Sequence, residues 1–236
     1  MNDDYITISR HYDPNPYSFR TFTVNFFSTP ITTTVTATPA VVRDWLYRVL
    51  SVHRSRRHKL VVGLGVQWNA FSSTTPPPAA TLQLCIGRQC LIFQLLHTNT
   101  VPLYLRRFLE DPTITFVGVW NHSDEEKLYW SNHRLSVSRL IDARDVAADR
   151  HGFSRQLSME KLAEYILGTG GVMKPQRIGL SAWDTYWLSL EQVQYACVDA
   201  YISFELGKEL EVWDWDWDDD DDADADDYDD DDYEGY

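Results

Sequence analysis

The strongest hydrophobic pattern in the chain is the run at residues 59–68, Lys-Leu-Val-Val-Gly-Leu-Gly-Val-Gln-Trp. An apolar run rich in β-branched residues predicts a strand that is buried on both faces, as the central strand of an α/β sheet is. Gly63 and Gly65 weaken a strand, so they indicate a place where another group approaches the backbone closely. Because side chains alternate along a strand, Gly65 and Gln67 lie on the same face near its end.

Other apolar runs predict further strands on both sides of this one. Two runs rich in Thr, Val and Phe are separated by Ser28-Thr29-Pro30, which is typical of a β-hairpin. After a polar loop at residues 69–79, two more runs joined by Gly-Arg-Gln form an antiparallel meander with the central strand. In all, strands are predicted at residues 19–27, 31–36, 59–68, 80–86, 90–96, 114–120 and 140–142.

Helices are predicted where apolar residues recur at helical spacing. Thr38 is the expected N-cap of the first helix, with Pro39 at its first position. Ser123, with Glu126 three residues later, fits a capping box. Most of the predicted strands precede most of the predicted helices, which predicts an α+β fold. Its core would be a single α/β mixed sheet with helices packed against it. The predicted helices cover residues 39–53, 101–110, a stretch from 121, 143–150, 158–167 and 190–210.

Charge divides the chain into a nearly neutral domain and an acidic segment. The net charge of the 236 residues is −14, yet 14 Asp and 2 Glu lie from Glu211 onward. We therefore expect a loose N-terminal segment at 1–18, one domain at 19–210 and a disordered acidic tail at 211–236. Such a tail is a candidate for binding basic proteins or for covering a cationic groove, and it is equally typical of a solubilising segment.

Cysteine use and hydropathy favour an intracellular protein of the nucleus and/or cytoplasm. The three cysteines form no C-x-x-C pair, so neither a zinc site nor a disulfide framework is expected. No apolar run is long enough for a transmembrane helix, and no membrane partner is expected. The basic cluster at residues 54–59 is interpreted as a solvated connection between helix and strand, with phosphate contact or a localisation signal as the alternatives.

Three polar residues near the ends of buried elements are candidates for chemistry. Tyr195 and Asp199 are four residues apart on the last predicted helix and hence share a face. Asp124 follows the predicted strand at 114–120. The motifs are Val-Gly-Leu-x-Val-x-Trp at residues 62–68, Phe-Val-Gly-Val at 116–119 before Asp124, and Gln-x-Gln-Tyr-Ala-Cys-x-Asp-Ala at 192–200. In this order they resemble the plant branch of Werner-type 3′–5′ exonuclease domains, over roughly residues 20–210.

That resemblance implies an RNase H-like, DnaQ-like fold of the DEDDy group and hydrolysis of phosphodiesters by two Mg²⁺ or Mn²⁺ ions. Such hard cations bind carboxylate oxygens. By the resemblance, Asp124 and Asp199 are metal ligands and Tyr195 orients the attacking water. The remaining two carboxylates of the family fall on Gly65 and Gln67, of which neither is acidic.

The missing carboxylates lead to three hypotheses. The first is a nucleic-acid-binding protein of the exonuclease family that has lost metal-dependent hydrolysis or retains little of it. The second is an active but slow 3′–5′ exonuclease on DNA or RNA. The third is a regulator that binds proteins through the acidic tail.

A segment near the last helix is expected to contact nucleic acid at 3′ ends. In the resemblance, Lys174 and Arg177 would meet phosphates and Trp183 would stack on a base. Trp187 is instead expected in the core, because large apolar side chains are mostly buried.

Overall fold

The computed structural model describes residues 5–72, 76–172 and 174–215, with eight strands and seven helices in these ranges. The strands are β1 (Ile6–Arg10), β2 (Phe19–Phe26), β3 (Thr29–Thr36), β4 (Leu60–Gln67), β5 (Thr81–Ile86), β6 (Gln89–Gln94), β7 (Ile114–Gly118) and β8 (Leu140–Asp142). The helices are α1 (Pro39–Val52), α2 (Leu103–Leu109), α3 (His122–Tyr129), α4 (Ala143–His151), α5 (Met159–Leu167), the single turn α6 (Gln176–Gly179) and α7 (Leu190–Glu209).

The strands form one mixed sheet in the order β1-β2-β3-β6-β5-β4-β7-β8. The predicted hairpin is confirmed as the antiparallel pair β2–β3, and the predicted meander as β4–β5–β6. Parallel pairing joins β3 to β6, β4 to β7 and β7 to β8. The predicted α+β fold with a mixed sheet is therefore confirmed.

Strand β4 is buried on both faces, as its apolar run predicts. Leu60, Val62, Leu64 and Val66 pack into a core that includes α1, whereas Val61 lies in the core formed by α7. A Cβ added at Gly63 would lie 1.9 Å from the carbonyl oxygen of Ala200 on α7. The close approach that the glycine indicates is thus made by a helix backbone.

Both ends of the domain differ from the prediction. Residues 1–18 were expected to be loose because of Pro14 and Pro16, but Ile6–Arg10 forms the edge strand β1 against β2. At the other end, packed structure continues beyond residue 210, since Val212 is fully buried and Arg139 donates to the carbonyls of Val212 and Trp215. The expected acidic tail lies outside the described residues from 216 onward.

The predicted capping box at Ser123 and Glu126 is wrong. Helix α3 begins two residues earlier than an N-cap at Ser123 would require, after Asn121, whose side chain makes no capping hydrogen bond. The backbone N–H groups of Trp120 and Asn121 donate to the carboxylate of Asp142 instead, so a tertiary contact fixes this helix start. A capping box is present at α7, between Ser189 and Gln192.

Three further features concern the basic cluster, the cysteines and the hydropathy of the helices. The basic cluster forms a 3-10 turn, Arg54–Lys59, that connects α1 to β4. Cys85, Cys90 and Cys197 are buried and free. Within the described ranges, none of the helices has the length and apolar character needed to cross a membrane.

Candidate active site

A cleft of about 290 Å³ opens at the edge of the sheet where β4 ends. Six polar residues line it: Gln67, Asp124, Lys174, Gln176, Tyr195 and Asp199. Most of the predicted site residues therefore lie together, although they are spread over more than 130 positions of the chain.

The fold explains why these side chains meet. Strands β4 and β7 are parallel neighbours, so Gln67 at the end of β4 and Asp124 on the helix after β7 reach the same edge of the sheet. Helix α7 packs across β4 at Gly63, which brings Tyr195 and Asp199 over that edge. Lys174 enters from the loop between α5 and α6.

Both carboxylate oxygens of Asp199 are bound by donors of the chain itself. The ammonium group of Lys174 donates a hydrogen bond to Oδ1 and forms an ion pair with the carboxylate. The side-chain amide of Gln67 donates to Oδ2 at 3.1 Å. A positive charge and an amide thus occupy the oxygens that the resemblance assigns to metal ions.

The two aspartates of the cleft differ in their electrostatic surroundings. Burial raises the pKa of Asp124 well above its usual value, and the negative charge of Asp199 adds to this while Lys174 partly offsets it. Burial alone would lower the pKa of Lys174, but Asp199 and Tyr195 outweigh this effect, so the pKa is raised. Lys174 therefore remains an ammonium ion, and the neutral form of Asp124 is favoured.

A side chain from the neighbouring strand fills the space beside Gly65. Gly65 pairs with Gln83 on β5, and a Cβ added at Gly65 would lie 2.9 Å from Oε1 of Gln83 and 3.2 Å from Oδ2 of Asp199. Gln83 is fully buried, its amide donates to Thr81, and its Oε1 has no hydrogen-bond partner. A carboxylate at position 65 would have to displace this side chain.

The residues present do not fit a two-metal centre. Across the described ranges, no group of three or more His, Cys, Asp or Glu side chains is placed to hold a metal ion. Divalent cations such as Mg²⁺ bind through ionised carboxylates. Here one carboxylate is already neutralised by Lys174, and burial opposes ionisation of the other, Asp124.

The two cations expected to bind nucleic acid are both paired with carboxylates, and both also line a smaller pocket beside the cleft. Lys174 lies in the cleft but is paired with Asp199. Arg177 lies outside the cleft, where its guanidinium forms a bidentate pair with the exposed Glu191 at 2.7 and 3.0 Å.

The exposures expected of the two tryptophans are reversed. Trp183 is 0% exposed and its indole N–H donates to the carbonyl of Gly179, so its ring has no face free for a base. It lies in the core that includes residues of α7. Trp187, which was expected in the core, is 46% exposed and lies against the guanidinium of Arg20.

Gln83 is a site residue that the sequence analysis missed. The available signal was a long polar side chain inside the apolar run Thr-Leu-Gln-Leu-Cys-Ile at residues 81–86. Its pairing with Gly65 depends on strand register, which the sequence pattern alone does not specify.

Comparisons with known proteins support the assignment made from the motifs. A family model described as 3′–5′ exonuclease matches residues 71–212, a range that contains Asp124, Tyr195 and Asp199 and begins after Gln67. A 3′–5′ exonuclease of Arabidopsis thaliana is 31% identical over 213 residues, which cover 87% of this chain and 73% of that protein. The mouse bifunctional 3′–5′ exonuclease/ATP-dependent helicase WRN is 26% identical over 152 residues, 64% of this chain but only 11% of that protein.

Two solved structures share the fold of this chain. RNase D of Escherichia coli, an exoribonuclease involved in structured RNA processing, has a TM-score of 0.58 at 22% identity, covering 70% of this chain and 42% of that one. The catalytic core of RRP6 from Trypanosoma brucei has a TM-score of 0.62 at 16% identity, covering 78% and 47%. These two likenesses concern the RNase H-like fold alone. Taken with the family match and the Arabidopsis relative, the chain belongs to the 3′–5′ exonuclease family.

Proposed function

We propose that this chain binds nucleic acid, DNA or RNA with a free 3′ end, and that its metal-dependent phosphodiester hydrolysis is lost or much reduced. The observation that carries the proposal is the carboxylate of Asp199, which is held on one oxygen by Lys174 and on the other by Gln67. A nucleic-acid strand is the ligand class of the family to which the chain belongs.

The expected loss of rate is large. Removing one group that stabilises transition-state charge commonly costs about 10²–10³ in rate. Gly65 and Gln67 remove two carboxylates, and Lys174 takes the charge of a third. Because such losses are not additive, we expect hydrolysis to fall by more than about 10⁴ relative to an intact site.

The proposal is tested with the full chain on a single strand and on a 3′-recessed duplex, each labelled at the 3′ end, in Mg²⁺ and in Mn²⁺. We expect binding that persists in EDTA and no cleavage. The triple variant Gly65→Asp, Gln67→Glu and Gln83→Ala restores two carboxylates and makes room for the first. We expect metal-dependent cleavage from it, and its loss when Asp199→Asn is added.

Family membership favours one competing function, a slow 3′–5′ exonuclease that uses Asp124, Tyr195 and Asp199 with whatever metal the cleft admits. This alternative predicts digestion of the labelled 3′ ends by the unchanged protein. If that digestion disappears in the Asp199→Asn variant, the slow-exonuclease function replaces the proposal. If digestion persists in the variant, it derives from a contaminant.

A further inference from the structure

An exposed aromatic cluster lies outside the cleft and takes no part in the site described above. It consists of Tyr17, His97, Tyr186 and Trp187, and two of its rings are exposed, Tyr17 at 72% and Trp187 at 46%. Tyr17 and Tyr186 both meet Trp187 edge to face, with ring centroids 5.5 and 5.1 Å apart, and His97 meets Tyr186 at 5.3 Å.

The cluster is held from below by buried polar groups. Arg20 is almost fully buried, lies 4.8 Å from the ring centroid of Trp187 and donates to the carbonyl oxygen of Tyr186. The side-chain amide of Gln94 donates to the same carbonyl at 2.9 Å, and the hydroxyl of Tyr186 donates to the backbone of Tyr17. Because these bonds fix the backbone and the rings together, the exposed faces require no ordering on binding.

Strand register places the cluster on the same edge of the sheet as the cleft. Gln67 pairs with Thr81, and Thr81 pairs with Gln94, so the ends of β4 and β6 lie at the same edge of the sheet with only β5 between them. On the far side of β6, Thr36 at the end of β3 pairs with Phe19. Two to four strand spacings, roughly 10–19 Å, therefore separate the cleft from the cluster.

Hydrogen bonds link the cleft to the cluster. Trp68 and Ala70 line the cleft, and the intervening Asn69 donates to the carboxylate of Asp184 at 3.0 Å. The backbone carbonyl of Asp184 accepts a hydrogen bond from the ring of His97 at 2.9 Å, and that ring contacts Tyr186.

We propose that the aromatic cluster is a stacking surface for unpaired bases, so that a single strand bound in the cleft continues along the sheet edge across Tyr17 and Trp187. The inference rests on the proposed function. Aromatic faces beside a cation bind bases of any sequence, since every base has a π-face. A duplex end offers only its terminal base pair to such a surface, so the ligand class is single-stranded nucleic acid.

The test compares variants of the full chain for binding of labelled single strands. We expect Tyr17→Ala combined with Trp187→Ala to weaken binding of a strand of about ten nucleotides by about tenfold or more. Binding of a strand of about three nucleotides, which reaches only the cleft, should change less than twofold. Because the variant removes no phosphate contact, the dependence of log affinity on log salt should keep its slope.

A matched control is provided by Tyr129 and Trp130, an exposed edge-to-face pair elsewhere on the surface, with centroids 5.2 Å apart. Tyr129→Ala with Trp130→Ala should leave both affinities unchanged. Tyr17→Ala alone, at a largely exposed side chain, keeps the test valid if loss of Trp187 disturbs Arg20. It should weaken the longer strand about threefold to fivefold.

The outcomes separate the two proposals. Equal binding of the longer strand by the Tyr17→Ala variant and the unchanged chain overturns the stacking surface but leaves the proposed function intact. Absence of any nucleic-acid binding by the unchanged chain overturns both. Loss of a protein partner but not of nucleic acid in the variants would assign the cluster to protein binding and overturn this inference.

Discussion

At the scale of single residues, Lys174 forms an ion pair with Asp199 inside the cleft. Both side chains lie in surroundings from which solvent is largely excluded. Removing one partner of a buried ion pair leaves an uncompensated charge, and this is far more costly than losing a surface pair.

We expect Lys174→Met to lower the free energy of unfolding by about 3 kcal/mol, because Asp199 and Asp124 then lack the positive charge. Millimolar Mn²⁺ should recover part of this loss in the variant and have no effect on the unchanged chain, as followed by urea unfolding. Lys161, an exposed lysine paired with Glu164, provides the control. Lys161→Met should change stability far less than Lys174→Met does and show no response to Mn²⁺. An identical Mn²⁺ response in all three proteins would contradict the role given to Lys174.

The carboxyl group of Asp124 should lower the free energy of unfolding by an amount that depends on pH. Burial raises its pKa in the folded state, so the folded protein holds a proton that the unfolded chain releases. Stability contributed at this position is therefore greatest below the unfolded pKa and falls as pH rises toward the folded pKa.

Accordingly, Asp124→Asn should stabilise the protein by about 1 kcal/mol above neutral pH. The difference should vanish below about pH 4, near the usual pKa of an aspartate. Thermal unfolding of the variant and the parent chain at several pH values measures the stabilisation above neutral pH and its disappearance at low pH. If the variant is less stable than the parent chain at every pH, the ionised carboxylate of Asp124 does not destabilise the folded protein.

The sequence predicts the backbone positions of the site better than its side-chain contacts. Motif order places Asp124, Tyr195 and Asp199 correctly in one cleft. The pairing of Lys174 with Asp199 and the insertion of Gln83 beside Gly65 depend on loop conformation and strand register. The reversed exposure of Trp183 and Trp187 has the same origin, since both are large apolar residues in one loop and only packing distinguishes them.

At the scale of elements, the packing of α7 on β4 positions the site. The glycine pattern predicts a close approach at position 63, and the structure supplies the approaching group, the backbone of α7 at Ala200. Since Asp199 immediately precedes Ala200, the distance between helix and strand also sets the distance from Asp199 to Gln67.

Gly63→Ala should therefore cost about 3 kcal/mol, because its Cβ would overlap a backbone oxygen that has little freedom to move. Gly170→Ala is the matched control, since its Cβ would meet only the side chain of Glu164 at 3.9 Å. We expect the control to change stability by less than about 1 kcal/mol. Equal effects of the two substitutions in urea unfolding would refute tight packing at Gly63.

At the scale of the whole molecule, the folded unit extends past the boundary that charge predicts. The transition to acidic composition at residue 211 marks a change in charge, yet Val212 is fully buried and packs with the α7 core. Composition identifies the acidic segment correctly but does not locate the last packed residue, which depends on contacts with Arg139.

Ending the chain after Leu210 should thus destabilise the protein by about 2 kcal/mol relative to ending it after Trp215, through loss of the buried valine and the bonds from Arg139. Comparative thermal unfolding of the two shortened chains tests this. If the two shortened chains are equally stable, the folded domain ends at residue 210. Experiments on the acidic segment are best made with the longer form, so that changes in nucleic-acid binding are not confused with loss of packing.

Gln83 beside Gly65 also limits how carboxylates can be introduced at positions 65 and 67. Gly65→Asp alone introduces a third carboxylate next to Asp199 and collides with a buried amide, and Gln67→Glu alone replaces a hydrogen bond by repulsion between two anions. Gln83→Ala alone opens a cavity. Each of these substitutions is thus expected to lower stability when made alone, so selection on single substitutions does not readily place two further carboxylates beside Asp199.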